Sequence, residues 1–227
     1  MSAPVAAAHG VQLRYGDTPA LRGADFELLS GERVALMGPS GSGKSSLLHC
    51  LAGVLKPLGG GVLFEGTRVD QLSEAARSSL RLRRMGMVFQ YGDLVPELTL
   101  LENVMLPLRL LGTRRSPART AAMDLLDRLG IAELGDRRTG MVSGGQAQRA
   151  AVARALVHRP AVVFADEPTG SLDSTTAEEV LDTMVAVVAE SGAALLVVTH
   201  DNIVASHLDR HVVMSDGLVR DPVGAGR

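Results

Sequence analysis

Two groups of residues in this 227-residue chain have the types and spacing for phosphate chemistry. The first is Gly38-Pro39-Ser40-Gly41-Ser42-Gly43-Lys44-Ser45, which follows the apolar run Val34 to Met37 and leads into Leu47, Leu48 and Leu51. Glycines let a backbone wrap closely around an anion, and the amides of a helix start point into it with the positive end of the helix dipole behind them. In such a loop Lys44 would neutralise the β- and γ-phosphates of a nucleotide and the Ser45 hydroxyl would ligate Mg²⁺. Lysine is scarce here, with only Lys44 and Lys56 against 21 arginines. A compact ammonium on a flexible stem suits a crowded phosphate better than a planar guanidinium. The second group is Asp166-Glu167, at the end of the apolar run Val162-Val163-Phe164-Ala165. A buried strand would deliver both carboxylates at its C-terminal edge, where ligands collect in open parallel sheets. There Asp166 would hold Mg²⁺, directly or through its water, and Glu167 would polarise a water attacking the γ-phosphoryl group.

Positioning these groups takes a sheet and the helices that leave it. Runs rich in Val, Leu and Phe alternate with longer helical patterns, the rhythm of an α/β protein with a largely parallel sheet. Strands are expected at Val11 to Tyr15, Ala24 to Leu29, Arg33 to Met37, Gly86 to Phe89, Val162 to Ala165, Ala194 to Thr199 and His211 to Met214. Helices are expected at Lys44 to Val54, Ser73 to Arg83, Leu101 to Leu111, Pro117 to Leu129, Gly144 to His158 and Thr175 to Glu190. Ser116 ahead of Pro117 reads as a capping hydroxyl before a first-turn proline, and Thr175 with Glu178 has capping-box spacing. From about Tyr91 to Arg159 three helical patterns follow one another without a strand, which predicts a helical subdomain inserted into the α/β core.

Composition narrows the classes. With 46% hydrophobic residues the chain can bury a full core and fits a single domain, residues 1–227, with a core of 1–90 and 160–227 and a subdomain of about 91–159. A net charge of −2 without a long block of either sign argues against nucleic acid and against a polybasic anchor. Met1 to Gly10 has no basic segment leading into an apolar one, so no signal peptide is read, and no run reaches the roughly 18 apolar residues of a membrane span. The expectation is a soluble, cytoplasmic protein. The single cysteine, Cys50, is expected in the core, and His9, His49, His158, His207 and His211 have no metal-ligand spacing.

Between the two phosphate groups lies Val142-Ser143-Gly144-Gly145-Gln146, in which Ser143 and Gln146 have capping-box spacing at a helix start. Its free amides and hydroxyl make a second anion site with no phosphate of its own. After Glu167 comes Pro168-Thr169-Gly170-Ser171-Leu172-Asp173; Gln90 follows one expected strand, His200 another, and Tyr15 stands 23 residues before Gly38. In this order the motifs resemble the ATP-binding cassette (ABC) family across about Val11 to Val219, with Val142 where Leu is commoner.

The resemblance implies a P-loop NTPase core with a mostly parallel sheet, an N-terminal antiparallel β portion and the inserted helical subdomain. It implies an ATPase using ATP and Mg²⁺. Glu167, His200 and Gln90 would be catalytic; Ser45, Gln90 and Asp166 would serve the metal. Tyr15 would stack on adenine, and Gly38, Pro39, Ser40, Gly41, Ser42, Gly43, Lys44, Ser45 and Ser46 would cradle the phosphates. Ser143, Gly144, Gly145, Gln146 and Asp173 would meet the nucleotide of an opposite subunit in a head-to-tail dimer of two copies or of paralogous cassettes. Gln90 and the segment Leu94 to Leu108 are similar to cassettes of the lipoprotein-release, macrolide-export and antimicrobial-peptide-resistance group, which drive a separate permease of few spans from the inner face of the cell membrane. Tyr91-Gly92-Asp93 departs from that group's commoner Phe-Asn pattern. A motor controlling a cell-wall hydrolase in cell division, or an importer subunit, stays open as an alternative.

Overall fold

The computed structural model describes residues 4–90, 93–170 and 172–220; Tyr91, Gly92 and Ser171 lie outside them. Two sheets organise the chain. Strands β1 (Pro4–Tyr15), β2 (Thr18–Leu29), β4 (Gly59–Phe64) and β5 (Thr67–Arg68) form an antiparallel sheet in the order β2-β1-β4-β5. Strands β3 (Arg33–Met37), β6 (Met85–Phe89), β7 (Val162–Asp166), β8 (Ala194–Val198), β9 (Arg210–Ser215) and β10 (Leu218–Arg220) form a second, in the order β10-β9-β3-β8-β7-β6. All its pairings are parallel except β10 on β9.

Period-two alternation along the parallel strands splits the core into two layers. Val163 and Ala165 of β7 and Leu195 and Val197 of β8 join a cluster with helices α3 (Leu100–Leu110), α4 (Arg115–Arg128), α5 (Gly144–Leu156) and α6 (Ser174–Ser191). Val162, Phe164, Leu196 and Val198 face the other way, toward helix α1 (Lys44–Leu51) and the antiparallel sheet. Strands covered on both faces read as unbroken apolar runs, which is why β3, β7 and β8 were legible from sequence. Each fully buried Leu or Phe in these layers contributes about 1.5–3 kcal/mol of transfer free energy. Helix α2 (Glu74–Arg84) runs into β6, and the short α7 (Asn202–Ser206) follows β8. The described residues between β6 and β7 hold three α-helices, two 3₁₀ turns and one isolated bridge, Thr99 to Arg138.

Several expectations need correction. Strands β1 and β2 start seven and six residues earlier than read, and α1 stops at Leu51, not Val54. Strand β4 was not foreseen because Gly59-Gly60-Gly61 reads as a loop. Its glycines allow close packing: a Cβ on Gly60, at φ 80°, would stand 2.3 Å from the Gly10 carbonyl oxygen of β1. Helix α4 is capped neither by Ser116 nor by any other side chain; it starts at Arg115 after Arg114, with Ser116 inside. Pro117 sits in the first turn, where no amide is needed for the ladder. At α6 the expected Thr175–Glu178 box gives way to Asp173, whose carboxylate accepts from the Thr176 amide at 3.1 Å. A complete capping box not foreseen, Thr99 with Glu102, starts α3.

Candidate active site

The glycine-rich loop is braced by backbone on two sides. A Cβ on Gly38 would lie 2.1 Å from the Met214 carbonyl oxygen of β9, and one on Gly43 would lie 2.4 Å from that of Ala20 in β2. No side chain fits either place without moving the sheet. Gly43, at φ 102°, is the N-cap of α1 and supplies no capping side chain. Lys44 is buried, its Nζ donating to the carbonyls of Gly38 at 2.8 Å and Pro39 at 2.9 Å. The buried Ser42 Oγ has no protein partner among the described residues. Backbone amides, a buried ammonium and an unsatisfied hydroxyl around one concavity fit a polyphosphate.

The acidic side closes against this loop. Asp166, the last residue of β7, accepts from the Ser45 hydroxyl at 3.0 Å through Oδ1. Burial pushes its carboxyl above the usual range, and the Ser45 hydrogen bond pulls the other way. Two hard oxygens so placed suit Mg²⁺, which takes one or two carboxylates and completes its shell with phosphate and water. Among the described residues no group of three or more His, Cys, Asp or Glu could hold a metal ion by itself. Glu167 turns the chain sharply out of the strand: its φ is 48°, a left-handed conformation that costs on the order of 1–3 kcal/mol for a residue with a side chain. Its amide is anchored to the Val198 carbonyl at 2.9 Å, and its carboxylate lies 2.9 Å from Nδ1 of His200. Gln90, at the end of β6, comes close to the same place: a Cβ on Gly170 would lie 3.0 Å from Gln90 Nε2 and 3.2 Å from Glu167 Oε2.

These groups line one cleft of about 890 Å³. Tyr15, Ser40, Gly41, Gly43, Lys44, Ser45, Ser46, Gln90, Asp166, Glu167 and His200 share it, while Gly38, Pro39 and Ser42 form the loop beneath. Tyr15 is 55% exposed, and its hydroxyl lies 3.3 Å from Ser46 Oγ. Sequence reasoning missed Thr18, Pro19 and Ala20, which form another part of the wall. Their residue types carry no chemical signal; only the start of β2 at Thr18 puts them there.

The structure does not bring the signature residues to this cleft. Ser143 caps α5 in a full box: its Oγ accepts from the Gln146 amide at 3.3 Å and its own amide donates to Gln146 Oε1 at 2.9 Å. Gly145 packs on α6, where a Cβ would stand 2.4 Å from Thr176 Cγ2, and Gly144 approaches Leu172. Asp173, also read as a nucleotide contact, spends its carboxylate on the cap of α6, and hydrogen bonding from Thr176 holds its pKa down.

Residues 21–170 match the family described as ABC transporter. The chain belongs to that family. This cassette is 46% identical over 221 residues to the lipoprotein-releasing system ATP-binding protein LolD of Hydrogenovibrio crunogenus, covering 96% of each chain. It is 47% identical over 204 residues to the protein of the same name from Paramagnetospirillum magneticum, covering 89% of this chain and 90% of the other. Among solved structures it superposes on the dimeric post-hydrolysis state of the ATP-binding cassette MJ0796 bound to ADP and Pi, with a TM-score of 0.87, 33% identity, and coverage of 98% and 100%. The cassette is thus an ATPase of the ABC fold, with the two-sheet α/β core and helical segment that the motifs imply. None of its described helices is long and apolar enough to cross a membrane.

Proposed function

We propose that the cassette is the motor of a membrane complex, closing head to tail on ATP with a second copy and driving a separate permease of the export or force-transmitting kind. The observation that carries this reading is the split site. Lys44, Asp166, Glu167 and His200 share one cleft, whereas the signature start of α5 is fully formed outside it. An ATP seated on Lys44 then lacks donors on its open side, and a second chain's Ser143 and Gly145 supply them. The names of the relatives support lipoprotein release as the work done.

Within the cleft Lys44 leaves the carbonyls of Gly38 and Pro39 for the β- and γ-phosphates. Ser45 and Asp166 would hold Mg²⁺, with Gln90 as a further ligand, and the bound ion would neutralise charge on the transferring phosphoryl group. Glu167 orients the attacking water and takes up its proton, and His200, hydrogen-bonded to that carboxylate, fixes its direction and reaches the γ-phosphate. Preorganised charge in this cleft contributes most of the acceleration. The helical segment between β6 and β7 acts as a subdomain inserted into the α/β core. The complex places the cassette at the inner face of the cell membrane.

The test uses Glu167→Gln, which keeps side-chain size and removes the base. With ATP the variant is expected to sediment as a dimer, with turnover lowered by about 10²–10⁴-fold, and to retain from native membranes a four-span permease with a large extracytoplasmic domain. Monomer only, or co-purification with a many-span importer permease or with none, would overturn the reading.

A further inference from the structure

Helix α5 grips both sides of Gln90. The side-chain amide of Gln148 donates from Nε2 to the Phe89 carbonyl at 2.9 Å, and Arg154 donates from Nη1 to the Asp93 carbonyl at 2.7 Å. Gln148 is only 2% exposed. A buried amide costs free energy unless it is hydrogen-bonded, and an apolar residue would fill the same space without that demand. The neighbouring Gln146 is spent on the cap of α5, so the two glutamines have different work. Farther along, α5 and β6 touch backbone to backbone: a Cβ on Gly86 would lie 2.3 Å from the Ala155 carbonyl oxygen.

The Phe89 carbonyl belongs to the same rigid peptide plane as the Gln90 amide. Holding that oxygen fixes the plane through which the chain enters Gln90 and the position of its Cα, so that only rotation about φ and the side-chain torsions is left to aim the carboxamide. Gln148 stands five residues into the helix that begins at Ser143, about 7.5 Å along its axis. We propose that Gln148, with Arg154 as second anchor, is a positioning residue that ties the aim of Gln90 to the placement of the signature end of α5. A shift of that helix start on docking to the opposite nucleotide is then carried, through a short rigid lever, to the Gln90 carboxamide beside Glu167. This rests on the role proposed above for Gln90.

Steady-state ATP turnover of four chains tests it: wild type, Gln148→Leu, Gln90→Ala and the double variant, each with KM for ATP and a thermal midpoint. Gln148 does not line the cleft, so Gln148→Leu is expected to lower kcat about tenfold and leave KM within about twofold. In the Gln90→Ala background the same substitution is expected to cost less than about twofold, because the group it aims is gone. An equal fold loss in both backgrounds, or unchanged kcat in Gln148→Leu, would overturn the proposal. Full turnover by Gln90→Ala alone would instead remove Gln90 from the site, a failure of the functional reading that takes the lever with it. Should Gln148→Leu fail to fold, Gln148→Asn, whose amide ends one methylene short of Phe89, is expected to show the same background dependence.

Discussion

Helices α1 and α5 both begin where phosphate chemistry is expected, and they are built in opposite ways. Helix α1 starts at a glycine with no capping side chain, from a loop wedged between β9 and β2 with the ammonium of Lys44 buried in it. Helix α5 starts at Ser143, with a capping box that already satisfies amides at that end. Its brace is a side chain of α6, not a sheet. An uncapped start keeps its donors for a ligand held in the same chain. A capped one is stable on an exposed surface without any ligand, which suits a group that meets its phosphate only when two chains close.

The largest effect that tests this contrast comes from mixing two chains. Lys44→Ala alone and Ser143→Arg alone are each expected to lose turnover by about 10²–10³-fold, the scale of removing one group that stabilises transition-state charge. Mixed in equal amounts, half the dimers pair unlike chains, and each of those keeps one site made of an intact loop and an intact signature. Turnover is expected to recover to roughly a quarter of wild type if sites act independently. No recovery would place both helix starts in one chain's site and break the comparison.

A smaller effect separates the two braces. Gly38→Ala drives a Cβ against the backbone oxygen of Met214, from a φ of 141°, and is expected to cost about 2–4 kcal/mol, read as a lowered denaturant midpoint. Gly145→Ala meets only a methyl of Thr176, which can rotate away, and alanine favours a helix over glycine by about 1 kcal/mol. Its net loss is expected to stay below about 1 kcal/mol and to vanish with Thr176→Ala. Equal losses at the two glycines would mean that the α5 start is as tightly built as the loop.

The same contrast explains what the sequence made legible. The loop before α1 was readable because its function fixes residue types, Gly, Lys and Ser, at set spacing after an apolar run, and β3 lies at Arg33–Met37 as expected. The box at Ser143 was readable because capping is local chemistry. What escaped was set by tertiary packing. Strand β4 is half glycine because β1 lies against it, and the first half of β1 is mostly small residues with weak strand preference. Thr18 to Ala20 line the cleft by position alone. Gln148 looks in sequence like any polar residue of a helix; only its burial and its bond to Phe89 give it a role.

The smallest effect concerns how firmly α1 is held at its other end. Cys50, in the last turn of α1, is 1% exposed, and burial pushes its thiol up to about 12. Unfolded, the same thiol ionises near 8.5–9. The folded state therefore keeps a proton that the unfolded state loses as pH rises above about 9, so the stability associated with this group is fully present below that pH and falls by up to about 1.4 kcal/mol per pH unit above it. Wild-type protein is expected to lose thermal stability between pH 9 and 10.5 more steeply than Cys50→Ala, whose buried methyl cannot ionise, even though the variant starts lower at pH 7 because of the volume removed. At pH 8 native Cys50 is expected to resist iodoacetamide and to react once the protein is unfolded. Rapid labelling of the native chain would show that α1 opens readily along its length. The loop it anchors would then owe its shape to the sheets alone, and the contrast with α5 would shrink to the difference between a capped and an uncapped first turn.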